Sequence, residues 1–206
     1  MNESFNQVLA VAELPILRRH LHNVREGVAL KDREDTLEQL AAVLETLATH
    51  FGRYTRLVLL DTSGEELLEA GSRLLPYPTG TRYARSGFFR GAERLSPRGL
   101  YVSAPRLGES RREGKTVTTA VIDIATPVFG QQGQRLGMLL FTLDWHYLTA
   151  DLPHAIDSGE GVRAVMVDGQ GKWLLPDTDE GMRFGDSLAE HYPQVWHDLS
   201  SQPQGE

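Results

Sequence analysis

The hydrophobic pattern of this chain changes period once, from a helical rhythm over the first fifty residues to strand-length runs beyond them. Phe5, Val8, Leu9, Val11 and Ala12 keep a three- to four-residue spacing, which Leu14, Ile16, Leu17 and Leu21 continue. Pro15 has no backbone N–H, so it predicts a kink or a local break. Gly27 interrupts the pattern, and Asp32, with Asp35 three residues later, is placed to cap the next helix. From Glu34 to His50, the apolar positions Leu37, Leu40, Ala41, Leu44, Leu47 and Ala48 predict an amphipathic helix that ends near Gly52.

Beyond Gly52 one phrase occurs twice. Leu57-Val58-Leu59-Leu60 runs into Asp61-Thr62-Ser63-Gly64 and leaves through Leu67-Leu68. Ala164-Val165-Met166-Val167 runs into Asp168-Gly169-Gln170-Gly171 and leaves through Trp173-Leu174-Leu175. Asp bonds nearby backbone and Gly accepts positive φ, so each phrase predicts a tight hairpin, and the repetition suggests two similar lobes. Between the copies lie a loop with Pro76, Pro78 and Gly80, and a short helix containing Phe88, Phe89 and Ala92. Strands are expected over Leu100–Ala104, Val117–Val128 and Leu136–Leu143, with a turn at Gly130-Gln131-Gln132-Gly133. The last of these strands is the most apolar and suits a central sheet position. Asp144 ends it, and a short helix is expected from Trp145 to Asp151. Residues 153–161 form the linker candidate, and Asp186 or Ser187 caps a helix running towards Trp196. From Gly161 to Glu206 this leaves two strands and one helix, too little sheet to stand alone.

Composition narrows the function. Hydrophobic content of 40% and charged content of 24% are ordinary for a globular protein, and 206 residues suffice for one large domain or two small ones. A net charge of −7 argues against a nucleic-acid partner. The cluster Arg106, Arg111, Arg112 reads as a solvated loop or a local anion site. With no cysteine, disulfides, thiolate catalysis and Cys-based zinc sites are excluded. No apolar run is long enough to span a bilayer, and Met1-Asn2-Glu3-Ser4 lacks the basic start of a signal peptide.

No catalytic set emerges. Ser63, Ser86 and Ser103 sit in no Gly-x-Ser-x-Gly elbow. His20 and His22, two apart on a helix, face different directions, and His191 and His197 lack the offset of a helical metal face. Gly130, Gly133 and Gly137 run strand to strand, so they are turn glycines rather than a phosphate loop. Glu65 and Glu66 lie on a turn, where solvation accounts for them. A binding site fares better. Arg82, Tyr83, Arg85, Phe88 and Phe89 combine cationic and aromatic groups in one segment. Arg85 has the fork geometry to grip a carboxylate, and Phe88 or Phe89 would close the apolar side. Tyr101 and Ser103 share one face of a strand, and Asp144 is placed to accept from a ligand amine. Phe88 and Phe89 equally suit core positions, and Arg85 an ion pair with a neighbouring acid.

The order of these features resembles a known family. Paired N-terminal helices precede a hairpin with Asp61 and Gly64-Glu65, then Arg85-x-x-Phe88-Phe89-x-x-Ala92 and Tyr101-Val102-Ser103. Ala125-Thr126-Pro127-Val128-Phe129, Gly133-x-x-x-Gly137 and Asp144 follow. This series, from about Glu13 to Trp196, resembles the double Cache, or tandem PAS-like, extracytoplasmic sensor domains of bacterial histidine kinases, diguanylate cyclases and chemoreceptors. The resemblance implies an α+β fold: a helical stalk over residues 1–52, a membrane-distal lobe over 53–152 and a smaller or incomplete proximal lobe over 153–206. Each lobe would be an antiparallel sheet flanked by helices. It implies a non-catalytic periplasmic domain without cofactor or metal, tethered to the inner membrane by segments outside this chain. A small ligand, an organic acid or amino acid, would bind in the distal lobe at Tyr83, Arg85, Phe88, Phe89, Tyr101, Ser103, Thr126 and Asp144. The apolar positions of the first helix suit homodimer packing or packing on its own sheet. The alternative is a structural or dimerisation module of such a receptor that binds nothing.

Overall fold

Three helices precede the first strand: α1 (Asn2–Ala12), α2 (Pro15–Arg25) and α3 (Glu34–Phe51). Pro15 stands at the first position of α2, where its missing N–H has no intrahelical partner to lose. The break expected at this proline is therefore a junction between two helices. Gly52 closes α3 in the left-handed conformation (φ 63°), and its N–H reaches the Ala48 carbonyl at 3.3 Å. Asp32 does not cap α3. It lies in a 3-10 turn over Leu30–Arg33, and Arg33 takes the cap position without a side-chain bond. The computed structural model describes residues 2–71, 83–112, 115–149, 166–174 and 182–201. The loop at Pro76, Pro78 and Gly80, the linker at residues 153–161, Arg82 and the strand start at Ala164 lie outside the described residues.

The chain divides into two compact units, Met1–Trp145 and His146–Glu206. The first is built on an antiparallel sheet of β1 (Tyr54–Leu60), β2 (Glu66–Ala70), β3 (Tyr101–Val102), β4 (Arg106–Arg112), β5 (Lys115–Phe129) and β6 (Arg135–Asp144). The order is β2-β1-β6-β5-β3, with β4 also on β5, so the apolar β6 is central as its composition predicts. Strand β4 departs from the expected arginine loop: it pairs with β5 from Arg106–Val121 to Arg112–Lys115. Val8, Leu17, Leu21, Leu40 and Leu44 are fully buried, and α1, α2 and α3 pack on β5, β6, β1 and β2 of their own unit. A short helix, α4 (Gly87–Ala92), packs on β5 and β3, and α5 (Trp145–Thr149) follows β6.

The repeated phrase folds alike in both places. Asp61 Oδ1 accepts from the N–H groups of Ser63 and Glu65, and Asp168 Oδ1 from those of Gln170 and Lys172, all at 2.8–2.9 Å. In each turn the Asp N–H donates four residues on, to Glu65 or Lys172, and a glycine with positive φ, Gly64 or Gly171, completes the reversal. In the second unit, Val167 bridges to Trp173 and Lys172 to Ser187. Ser187, one of the two cap candidates, accepts from the Glu190 N–H to open α6 (Leu188–His191), and α7 (Pro193–Ser201) is a separate helix. Trp173, Met182 and Leu188 form this unit's core, with Val167 and Trp196 against it.

His20 joins α2 to α3. It is buried, and its Nδ1 lies 3.2 Å from Thr36 Oγ1, whose hydroxyl donates to the Arg33 carbonyl. With that hydroxyl proton committed, Nδ1 carries the donor hydrogen. Burial, and then the nearby Arg33 charge, hold the imidazole below the ordinary value of about 6.5. The unfolded chain therefore takes up a proton first as pH falls. Stability contributed by neutral His20 is complete above about pH 6.5 and is lost as pH drops from there towards the lower folded value. A His20→Gln variant, which keeps an N–H donor, should show a shallower fall in melting temperature between about pH 7 and 5. Parallel acid-side melting curves for the two proteins would assign that slope to other groups.

Candidate functional site

The register of the central strands lays three rows of side chains across one face of the first unit's sheet. Opposed residues in antiparallel strands share a face. One row runs Glu69, Val58, Leu140, Ala125 and Tyr101 from β2 to β3. The next runs Arg56, Thr142 and Asp123, and Ser103 joins it through its N–H on the Asp123 carbonyl at 2.9 Å. The third runs Asp144, Val121 and Arg106. The face therefore passes from apolar at one end to strongly polar at the other.

An aromatic wall covers the apolar end. Ser86 caps α4, its hydroxyl accepting from the Phe89 N–H at 3.2 Å and donating to the Tyr83 carbonyl at 2.7 Å. This sets Tyr83, Phe88, Phe89 and Ala92 down on Val58, Leu60, Ala125, Met138 and Leu140 as one buried cluster. Tyr101 lies flat against α4 at Gly91, where an added Cβ would come within 2.3 Å of the ring. Gly64 serves two purposes. It supplies the positive φ of the β1–β2 turn, and its bare Cα lets the Ala84 backbone approach, since a Cβ there would fall 2.6 Å from Ala84 N. The Tyr83 N–H closes the contact on the Gly64 carbonyl at 3.2 Å.

Two ion-paired groups occupy the polar end. Arg56, only 2% exposed, holds Glu69 at 2.6 Å and also donates to the Tyr83 hydroxyl at 3.0 Å. That hydroxyl donates to Glu66 at 3.0 Å, so the aromatic segment is tied to both β1 and β2. Burial raises the Tyr83 phenol far above its usual range, although Arg56 pulls the other way, and the phenol remains a donor. Across the face, Arg106 grips Asp123 with two bonds of 2.9 and 3.1 Å, and the Thr142 hydroxyl donates to the same carboxylate at 2.8 Å. The Asp123 N–H donates to Ser103 Oγ at 2.9 Å. The polar end of this face thus presents Arg56 and Arg106, each ion-paired, beside the carboxylates Glu66, Glu69, Asp123 and Asp144.

Of the residues singled out from sequence, Tyr83, Phe88, Phe89, Tyr101, Ser103 and Asp144 gather on this face or in its aromatic wall. Arg85 ends the 3-10 turn of Tyr83–Arg85 and is exposed. Thr126 points away from Ala125, to the other face, and donates to the Gly99 carbonyl at 2.8 Å. Arg56, Glu69, Asp123 and Thr142 were not singled out, and Arg106 was read only within an arginine cluster, as a solvated loop or a local anion site. Asp123 had a signal, a lone carboxylate between Ile122 and Ile124 in an apolar run. Glu66, assigned to a solvated turn, opens β2 and holds the Tyr83 hydroxyl instead. Among the described residues, no group of His, Asp or Glu has the arrangement of a metal site.

Helices on one face of a five-position antiparallel sheet, with a short aromatic helix roofing the other, define a Cache or PAS-like sensor lobe. The bacterial histidine kinase sensor-domain model matches residues 27–206, and the chain belongs to that family. It is thus a sensor domain rather than a catalytic one. Solved structures agree in fold. A domain of a sensory box/GGDEF protein from Vibrio parahaemolyticus is 20% identical over 98% of this chain and 78% of that one, with a TM-score of 0.66. The extracellular domain of the histidine kinase vpHK1S-Z8 is 18% identical over 99% and 78%, with a TM-score of 0.67. The ligand-binding domain of the Pseudomonas aeruginosa amino acid chemoreceptor PctB, solved with L-Arg, is 17% identical over 94% and 70%, with a TM-score of 0.54. No curated protein matches the chain.

Proposed function

We propose that this is the extracytoplasmic sensing domain of a membrane-bound receptor, and that the β-sheet face beside α4 takes a small ligand bearing an amine. The carrying observation is that Glu66, Glu69, Asp123 and Asp144 set carboxylate oxygens, the acceptors an amine needs, at the polar end of that face. The aromatic wall of Tyr83, Phe88 and Tyr101 supplies the apolar side that small-molecule sites use. An amino acid fits this description, and PctB, a neighbour in fold, was solved holding one. A ligand so placed shifts the receptor only by its differential affinity for two arrangements. No described helix is long and apolar enough to cross a bilayer.

Calorimetric titration with a panel of L-amino acids, their N-acetylated forms and dicarboxylic acids tests the reading. Free amino acids should bind and the acetylated forms should not. Asp144→Asn, at a half-buried position, should weaken binding about 10-fold or more, the worth of one charged hydrogen bond. A second reading has its own observation. Tyr83, Phe88 and Phe89 are packed as core and both arginines are ion-paired, which suits a module that binds nothing and transmits a mechanical signal. Absence of heat and of thermal shift across the whole panel would select it.

A further inference from the structure

We infer that the first unit carries a second binding site, a groove for a small organic polyanion where α2 meets the β5–β6 turn. The groove holds about 450 Å³ and is lined by Arg18, Arg19 and His22 of α2 and by Gln131, Gln132 and Gln134 of the turn. That volume lies within the range of small-molecule sites. It is set apart from the face beside α4: Leu136 lines the groove, and Thr142 is six residues further along β6, about 20 Å at strand rise.

Three observations point to an anion. First, helix α2 carries Arg18, Arg19 and Arg25 and no acid in a chain of net charge −7. Second, the groove's acid, Glu13, is engaged by Arg98 at 3.3 Å, whereas Arg18 and Arg19 have no carboxylate partner among the described residues. Third, Arg18 Nε is closed off from solvent without a hydrogen-bond acceptor. A guanidinium partly withdrawn from water gains from a charged partner, and an oxyanion in the groove would meet Arg18 through its terminal N–H groups. The glutamine amides add neutral donors around the same space. Arginine forks and amide donors suit carboxylate and phosphate groups alike, and the size calls for an organic molecule with at least two of them.

The test titrates citrate and 3-phosphoglycerate, against chloride at matched ionic strength, into the intact chain. Either should bind and raise the melting temperature, and the tighter of the two identifies the oxyanion the site prefers. Arg18→Gln with Arg19→Gln should lower affinity at least tenfold, with an unchanged circular dichroism spectrum as the check on folding. Gln131→Glu, on the exposed turn, adds a carboxylate without touching the core and should lower affinity three- to tenfold. Equal affinity in all three proteins would place the anion elsewhere and overturn the assignment, as would no binding of either probe at millimolar concentration. Neither variant alters the face beside α4, so amino-acid binding there is scored separately.

Discussion

Replacing Arg56 by Met should cost about 3–5 kcal/mol of stability, the usual result of removing one partner from a buried ion pair. The guanidinium lies between the Glu69 carboxylate and the Tyr83 hydroxyl, and it is almost wholly removed from water. Methionine fills much of the same volume, so the loss measures the broken Arg56–Glu69 pair rather than a cavity. The double variant Arg56→Met with Glu69→Leu should recover most of the loss, because a well-packed apolar pair is often as stable as the ionic one. Urea unfolding followed by circular dichroism checks this through the midpoint, with the slope unchanged. A loss below about 1 kcal/mol in the single variant would mean that Glu69 finds solvent, as surface pairs do. The substitution also removes one of the two anchors of the Tyr83 hydroxyl. Ligand affinity at the face should therefore fall with stability, and only stability should return in the double variant.

What could be read in the sequence was what depends on neighbours along the chain. Helical spacing located the buried stripes of α1, α2 and α3, and Gly52 marked the end of α3 because only a short-range reversal is needed there. The two Asp-x-x-Gly turns were legible for the same reason: their hydrogen bonds join residues two to four apart. Asp32 failed as a cap because the chain turns as a 3-10 segment first, which leaves Arg33 at the cap position without a side-chain bond. The charged rows were not legible. Arg56, Thr142 and Asp123 meet only because β6 sits between β1 and β5, a pairing over more than eighty residues between β1 and β6. Arg106 looks solvated in sequence because its partner lies across a strand pair that no local signal announces. Aromatic candidates were easier to find than charged ones, since Tyr83, Phe88 and Phe89 are close in sequence and share one turn of structure.

Phe141→Ala should be the most damaging apolar substitution in the sheet, at about 3–5 kcal/mol. The ring is fully buried at the centre of β6 and meets Tyr54 edge-on at 5.0 Å, while Tyr54 meets Phe51 at 6.1 Å. Tyr54 in turn donates its hydroxyl to Gln7 of α1, and Arg53 beside it donates to Ser4 and Glu3. A continuous set of contacts thus joins the middle of the sheet to the first helix. Thr142, next in the chain, presents its side chain to the ligand face, so a shift of β6 there must also move Phe141 on the helix side. Removing the ring should therefore loosen α1 as well as the sheet. Hydrogen exchange should show faster exchange of the α1 amides than the global loss alone predicts. Combining Phe141→Ala with Tyr54→Leu should give a coupling of about 0.5–1.5 kcal/mol, the worth of an aromatic pair beyond its burial. Strict additivity, with α1 exchange unchanged, would show that the helix is held by its own apolar contacts and that this aromatic path carries nothing.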